Sequence, residues 1–153
     1  MATKAGFDQP LTISGRMVQD SSYESTVFCL RTDLSINTSS VYGWYFNITG
    51  LQVVFSGDQH RLDIQQMDRT SNTVLVLASA PYDFPVGQAY DFKIVDDLTN
   101  VSVSIDGKTI LFAATRFGTG TRLAFHSREF VDTATSIDFI RISGLLPSHA
   151  SHH

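Results

Sequence analysis

Alternation between apolar and polar side chains is the feature that most constrains how this chain folds. It is clearest in residues 90–107, YDFKIVDDLTNVSVSIDG, where large apolar residues take every second position of two short segments. These apolar positions are Tyr90, Phe92, Ile94, Val101, Val103 and Ile105. The positions between them include Asp91, Lys93, Ser102, Ser104 and Asp106. Because successive side chains of a β-strand point to opposite faces, the pattern predicts strands with one apolar and one polar face.

The same period near two recurs along the chain and predicts an all-β fold. The segments that carry it are rich in β-branched and aromatic residues, and turn-forming residues separate them. None of the intervals has the apolar spacing of an amphipathic helix. We therefore expect an antiparallel sandwich or barrel. The predicted strands span residues 11–18, 26–32, 42–48, 51–55, 60–67, 73–79, 90–95, 101–105, 109–114, 121–126 and 136–142.

The Asp106-Gly107 pair predicts a tight hairpin. Glycine adopts positive φ at low cost, and a primed two-residue turn matches the twist of the flanking strands. We expect the strands at 101–105 and 109–114 to pair around this turn. The strand at 90–95 should join them in a meander.

A single domain accounts for the chain of 153 residues. We assign residues 1–146 to this domain and interpret the histidine-rich tail, residues 147–153, as a terminal tag. Alternation predicts a set of inward-facing side chains, each worth about 1.5–3 kcal/mol when fully buried. They are Leu11, Ile13, Phe28, Leu30, Trp44, Phe46, Ile48, Val53, Phe55, Leu62, Ile64, Leu75, Leu77, Tyr90, Phe92, Ile94, Val101, Val103, Ile105, Ile110, Phe112, Leu123, Phe125, Ile140 and Ile142.

Composition excludes several classes of partner. The net charge is −4, and the 11 Lys and Arg residues are scattered singly along the sequence. The sequence therefore has no basic cluster of the kind that binds nucleic acid. No apolar run approaches the ~20 residues that span a bilayer. The one cysteine, Cys29, lies between apolar neighbours, and we expect it to be a small buried hydrophobe.

A recurring set of glycine, aromatic, apolar and aspartate positions marks the C-terminal half. These positions are Gly87, Tyr90, Phe92, Ile94, Val103, Ile105, Asp106, Gly107, Phe117, Gly120, Leu123, Phe125 and Asp138. In them the chain resembles concanavalin A-like jelly-roll domains, in particular carbohydrate-binding modules and laminin-G-like domains. The resemblance reaches back more faintly to the earlier strands, so that it covers roughly residues 10–143, and it implies a jelly-roll β-sandwich that binds glycans without catalysis. A shared fold does not by itself establish a shared function.

Catalytic motifs are missing from the sequence. Glycoside hydrolysis uses two facing carboxyl groups, whereas this chain has two glutamates, Glu24 and Glu129, and no strand on which carboxylates alternate. A nucleophile elbow, a zinc-protease helix motif and a phosphate-binding loop are also absent. We therefore expect a binding protein and not an enzyme.

Sugar recognition needs aromatic rings that stack on the ring and planar polar groups that chelate hydroxyls. Candidates for these roles fall in three polar clusters and one strand, where Tyr45 and Asn47 lie out of phase with the core positions. Each arginine–carboxylate pair also fits a plain surface ion pair. Likewise, the polar face of residues 90–107 fits either solvent or a shallow glycan groove. The candidate carbohydrate-binding residues are Arg31, Asp33, Tyr45, Asn47, His60, Arg61, Asp63, His126, Arg128 and Glu129.

These observations lead to one hypothesis and one alternative. The hypothesis is a carbohydrate-binding module or lectin whose partner is an oligo- or polysaccharide. Such a protein needs no cofactor, catalytic residue or metal. A Ca²⁺ ion held by loop oxygens is the alternative to a metal-free site. We expect a secreted location, with a cytosolic lectin as the alternative. The alternative to this hypothesis is a protein-interaction or assembly domain of the laminin-G-like type, which would show an exposed apolar patch or a self-interface.

Overall fold

The computed structural model describes residues 10–19, 25–32, 49–57, 59–68, 70–71, 73–118, 122–128 and 135–144. Within these ranges the regular structure is all β, as the alternation predicted. No helix with the length and apolar character needed to cross a bilayer occurs among the described residues. The predicted strand at 42–48 and the tail at 147–153 lie outside them.

Ten strands are described, and they form two five-stranded antiparallel sheets. Sheet I has the strand order β10-β1-β6-β7-β8, and sheet II has the order β5-β4-β3-β2-β9. The chain crosses between the sheets several times, which confirms the antiparallel β-sandwich of jelly-roll type. The strands are β1 (Leu11–Gln19), β2 (Ser25–Thr32), β3 (Gly50–Ser56), β4 (Arg61–Asp68), β5 (Thr73–Pro81), β6 (Tyr90–Asp96), β7 (Asn100–Ile105), β8 (Lys108–Ala114), β9 (Arg122–Arg128) and β10 (Thr135–Gly144).

The core lies between the two sheets and centres on aromatic rings. The ring of Phe28 lies 5.7 Å from that of Phe55 and 5.2 Å from that of Phe92, and the last two are 5.8 Å apart. Tilted and edge-on contacts at these distances add to the free energy gained from burial. The predicted core residues that the structure shows as buried are Leu11, Ile13, Phe28, Leu30, Val53, Phe55, Leu62, Ile64, Tyr90, Phe92, Ile94, Val101, Val103, Ile105 and Leu123.

The predicted hairpin is confirmed. Ile105 pairs with Lys108, so Asp106 and Gly107 alone form the turn, with φ of 50° and 81°. Positive φ at both positions is what a type I′ turn requires. Strand β6 pairs with β7 on the other side, which completes the predicted meander.

Three predicted core residues are wrong, and each lies on an edge strand. Phe112 is exposed because the β7–β8 pairing shifts by one residue after Val103, which turns Leu111 inward instead. Leu75 is exposed because β5 is the edge strand of sheet II, and the first four residues of this strand are all exposed. Ile142 pairs with the buried Ile13, but its strand β10 ends the sheet and leaves it exposed.

The remaining predicted core residues divide into two groups. Leu77, Ile110 and Ile140 are partly buried and pack against the core. Trp44, Phe46, Ile48 and the side chain of Phe125 lie outside the described part of the structure.

The single cysteine behaves as predicted, as a small buried residue. Burial raises the pKa of the Cys29 thiol to about 12, partly offset by the hydrogen bond that Gln52 Nε2 donates to Sγ. A thiol with so high a pKa is inert near neutral pH.

Candidate functional site

The outer faces of the two sheets differ sharply at their central strands. In sheet II, β2 and β3 are buried along their whole length on both faces. In sheet I, β1, β6 and β7 alternate between buried and accessible residues, so their outer face meets solvent. Among the described central strands, sheet I therefore offers the surface on which a ligand can bind.

A shallow groove of about 420 Å³ lies on this outer face. Its shape follows from side-chain length, since Ser14, Ser104 and Gly107 are short and charged side chains flank them. Short residues between long ones leave a depression on an otherwise continuous sheet. The lining residues are Ser14, Gly15, Arg16, Asp91, Phe92, Lys93, Ser104, Gly107 and Arg141.

Strand register brings these groups together from distant parts of the sequence. Ser14 on β1 pairs with Arg141 on β10 and, on its other side, with Lys93 on β6. Lys93 in turn pairs with Ser104 on β7. Paired residues of antiparallel strands share a face, so cation and hydroxyl alternate along one row across four strands.

A second row of the groove is an ion pair. Arg16 pairs with Asp91 in register, and its Nε donates to Asp91 Oδ1 at 2.9 Å. The backbone N–H of Asp91 donates to Asp106 Oδ1 at 2.9 Å, and the N–H of Asp106 donates to the Asp91 carbonyl at 2.8 Å. The hairpin turn thus fixes the strand segment that carries the only carboxylate among the described lining residues.

Of the predicted site residues, Arg31 is part of a structural contact and not of an accessible site. The β2–β9 register shifts between Cys29 and Thr32, and Arg31 has a φ of 50° at this bulge. Its side chain is buried, with Nη2 donating to Asp96 Oδ1 at 2.6 Å and Nη1 donating to the carbonyls of Thr115 and Phe117. Arg31 therefore ties sheet II to the end of β6 in sheet I, and its buried guanidinium cannot meet a sugar at the surface.

The second predicted cluster, His60, Arg61 and Asp63, is brought together in part. Arg61 Nε donates to Asp63 Oδ2 at 2.8 Å, whereas Asp63 Oδ1 is buried without a hydrogen-bond partner. The His60 side chain contacts Asp83, with its Nδ1 3.2 Å from Asp83 Oδ1. This cluster lies on sheet II, the sheet opposite the groove.

The third cluster is described by its backbone only. His126 pairs with Val27 and Arg128 with Ser25, which places both in the same cross-strand rows as Asp63 and Arg61. Two strands, β2 and β3, separate the two clusters. The side chains of His126 and Arg128 lie outside the described part of the structure, as do residues Asp33, Tyr45, Asn47 and Glu129.

Sequence reasoning found half of the polar and charged side chains that line the described groove. The polar face of residues 90–107 supplies Asp91, Lys93 and Ser104, for which a shallow groove was one of two interpretations. It missed Ser14 and Arg16, although the alternation of LTISGRMV puts both on the polar face of β1. Arg141 had no local signal beyond its position between two isoleucines in IRI.

Among the described residues, no group of three or more His, Cys, Asp or Glu side chains converges as a cation site. Asp97, in the loop between β6 and β7, accepts hydrogen bonds from the backbone N–H groups of Thr99 and Asn100. These bonds stabilise the ionised carboxylate and lower the pKa of Asp97 to about 2.

Comparison with solved structures identifies the fold class. The carbohydrate-binding module CBM66 from Bacillus subtilis matches with a TM-score of 0.64 at 9% identity, covering 93% of this chain and 76% of that one. Sheep galectin-11, solved in complex with glycerol, matches with a TM-score of 0.64 at 9% identity. The match covers 94% of this chain and 96% of the galectin chain. Galectin LEC-6 from Caenorhabditis elegans matches with a TM-score of 0.63 at 12% identity. The match covers 94% of this chain and 89% of the LEC-6 chain.

Identities this low show the fold and nothing finer. The chain shares the two-sheet jelly-roll β-sandwich of these structures, which confirms the fold that the sequence resemblance implied. The laminin-G-like part of that resemblance stays a prediction. No protein-family model matches the sequence, and no significant match is found among curated proteins.

Proposed function

We propose that this protein is a non-catalytic carbohydrate-binding module or lectin, and that it holds its glycan in the groove on the outer face of sheet I. The observation that carries the proposal is the groove itself, in which hydroxyl groups and charged planar groups line one accessible face of a lectin-type sandwich. Ligand sites are usually concave, and a few convergent polar groups in them fix the orientation of the ligand.

The lining residues have the hydrogen-bonding groups that sugar hydroxyls need. Ser14 and Ser104 each donate and accept, Arg16 and Arg141 donate from a planar fork, and Asp91 accepts. A sugar hydroxyl both donates and accepts, so the adjacent Arg16 and Asp91 are suited to neighbouring hydroxyls. The ring of Phe92 is buried in the core, so recognition in the described groove is polar and not by aromatic stacking.

The carboxylate content of the described groove lining supports binding without cleavage. A glycosidase uses a carboxylic acid and a second carboxylate on either side of the scissile bond. The described lining supplies Asp91 alone, and its Oδ1 already accepts from Arg16. We also propose binding without a cofactor, in which case a chelator will leave the affinity unchanged.

The test is a glycan array followed by calorimetry, with a pair of matched variants. Ser104→Tyr puts a bulky ring on the groove floor, and Ser102→Tyr puts the same ring two residues away on the same face of β7, outside the lining. We expect Ser104→Tyr to abolish binding and Ser102→Tyr to preserve it. Absence of binding to any glycan at millimolar concentration, with and without Ca²⁺, contradicts the proposal.

One observation favours a second candidate function, self-association. Val74, Leu75 and Val76 are exposed on β5, which is the edge strand of sheet II, and Phe112 is exposed on β8, the edge strand of sheet I next to it. An apolar edge strand is a ready template for pairing with another chain. Light scattering on the wild type and on Val76→Lys tests it, since the lysine should shift any dimer towards monomer.

A further inference from the structure

Asp106, at the first position of the turn between β7 and β8, holds Asp91 through two hydrogen bonds. Its N–H donates to the Asp91 carbonyl at 2.8 Å, and its Oδ1 accepts from the Asp91 N–H at 2.9 Å. The paired register of β6 and β7 ends one residue before this contact, at Phe92 and Ile105. Asp91 therefore lies beyond the paired register, and a side-chain oxygen of Asp106 takes the place of the carbonyl that would continue the ladder.

The turn itself does not require a carboxylate at position 106. Asp106 has a φ of 50° and Gly107 a φ of 81°. Glycine and asparagine adopt positive φ at the first position of a type I′ turn as readily as aspartate does. The contact that needs a side-chain oxygen here is the one with the Asp91 N–H, so this contact gives the carboxylate a role of its own.

The same two bonds explain the geometry of the ion pair in the groove. In an antiparallel strand the N–H and the C=O of one residue point to the same neighbouring strand, and those of Asp91 point to Asp106. Arg16 and Asp91 are therefore a non-hydrogen-bonded pair of β1 and β6. The Cα atoms of such pairs lie about 4.5 Å apart, against about 5.5 Å in hydrogen-bonded pairs, and their side chains are closer. The 2.9 Å contact from Arg16 Nε to Asp91 Oδ1 fits this arrangement.

From this arrangement we infer that Asp106 is a positioning residue of the groove, which sets the affinity for the glycan by orienting the Asp91 carboxylate. The inference rests on the proposed function and adds to it a residue outside the described lining. Without the Asp106 oxygen, the start of β6 loses its hold on β7 at Asp91. Its carboxylate then has more orientations to give up when the ligand binds, which lowers the affinity.

The effect should appear in binding more than in folding. Asp91 and Asp106 are both exposed, so water replaces much of a hydrogen bond lost between them. Asp106→Gly keeps the positive φ and removes the acceptor, whereas Asp106→Asn keeps both the φ and a side-chain oxygen that accepts. The two variants therefore separate the hydrogen bond from the shape of the turn.

The experiment is calorimetry on both variants with a glycan selected on the array. We expect Asp106→Gly to weaken binding about two- to tenfold, which is the range of one hydrogen bond. Asp106→Asn should restore the affinity to within about twofold of the wild type, because its amide oxygen replaces Oδ1. Amide hydrogen exchange tests the contact without any ligand. The Asp91 N–H should exchange faster in Asp106→Gly and not in Asp106→Asn.

Two controls assign the effect to Asp91. Asp97→Gly makes the same substitution at the opposite end of β6, outside the described lining, and removes an acceptor 2.9 Å from the Thr99 N–H. This variant should leave the affinity unchanged. In a protein that already carries Asp91→Ala, Asp106→Gly should cause no further loss, because no carboxylate remains to be oriented. Thermal unfolding of each variant separates lost binding from lost folding.

The outcomes separate the inference from the proposed function. Wild-type affinity in Asp106→Gly, an equal loss in Asp106→Asn, or an equal loss in Asp97→Gly overturns the inference and leaves the lectin function intact. A further loss in the Asp91→Ala background also overturns it, because Asp106 would then act independently of Asp91. Failure of the wild type to bind any glycan overturns the proposed function itself.

Discussion

Two arginine–aspartate pairs of this fold have the same chemistry and opposite surroundings. Arg31 and Asp96 are each 4% exposed, lie 2.6 Å apart and join the two sheets. Arg16 and Asp91 are 47% and 56% exposed, lie 2.9 Å apart and line the groove of sheet I. The comparison shows that burial, not residue type, separates a structural arginine from one that a ligand can reach.

A third pair lies between these extremes. Arg61 is 43% exposed, but its partner Asp63 is 2% exposed. Removing a partner costs more when the remaining charge is buried, because water cannot replace the lost interaction. The three pairs therefore form a series. The free energy of unfolding lost on replacing the arginine should be larger the more deeply both members of the pair are buried.

The largest effect is expected for Arg31→Met. The substitution leaves the Asp96 carboxylate buried without a cation and removes the donors of the Thr115 and Phe117 carbonyls. Loss of one member of a buried pair costs about 3–5 kcal/mol in the free energy of unfolding. Urea denaturation measures it. A loss below about 1 kcal/mol would show that the pair does not hold the sheets together.

An intermediate effect is expected for Arg61→Ala. Asp63 Oδ2 loses its donor while Oδ1 is already buried without a hydrogen bond. An unsatisfied buried group costs about 1–3 kcal/mol. The same denaturation series, with Asp63→Asn as the matched variant that removes the charge, measures it. If Asp63→Asn destabilises as much as Arg61→Ala does, the cost lies in packing and not in the unpaired charge.

A small effect on stability is expected for Arg16→Ala. An exposed pair contributes below about 1 kcal/mol, and salt screens it. The same variant should weaken glycan binding in the groove, which calorimetry detects. A destabilisation as large as that of Arg31→Met, or unchanged binding of a glycan that occupies the groove, would remove the contrast between the two pairs.

The smallest effect is expected for Asp97, an exposed carboxylate stabilised by N–H donors. Its pKa is lowered from 3.8 to about 2, so its contribution to stability is present above pH 3.8 and is lost as the pH falls towards 2. Asp97→Asn should flatten the stability profile in this window. Urea denaturation between pH 5 and pH 2 for both proteins tests the sign, and parallel profiles would show that the carboxylate is not involved.

The sequence predicted the sandwich and the hairpin because both depend on local patterns. Alternation over a few residues fixes which face of a strand is apolar, and Asp106-Gly107 fixes the turn. The prediction failed for Phe112 because a register shift changed the phase of β8 without any mark in the sequence. It failed for Leu75 because the edge position of β5 depends on the topology of the whole sheet.

The site was harder to predict because its contacts are long-range. Arg61 and Asp63 are 2 positions apart on one strand, so their pairing could be read from the sequence. Arg31 and Asp96 are 65 positions apart, and Arg16 and Asp91 are 75. Only the strand order of sheet I brings Ser14, Lys93 and Arg141 into one row, and no local pattern encodes that order.

The most direct test of the central claim is an NMR titration of the ¹⁵N-labelled protein with a glycan selected on the array. Binding in the groove predicts that amide shifts cluster at Ser14, Arg16, Lys93 and Ser104 on sheet I. Arg61 and Asp63, on the opposite sheet, should then stay unchanged. Shifts confined to β4 and β5 would place the glycan on sheet II and contradict the account.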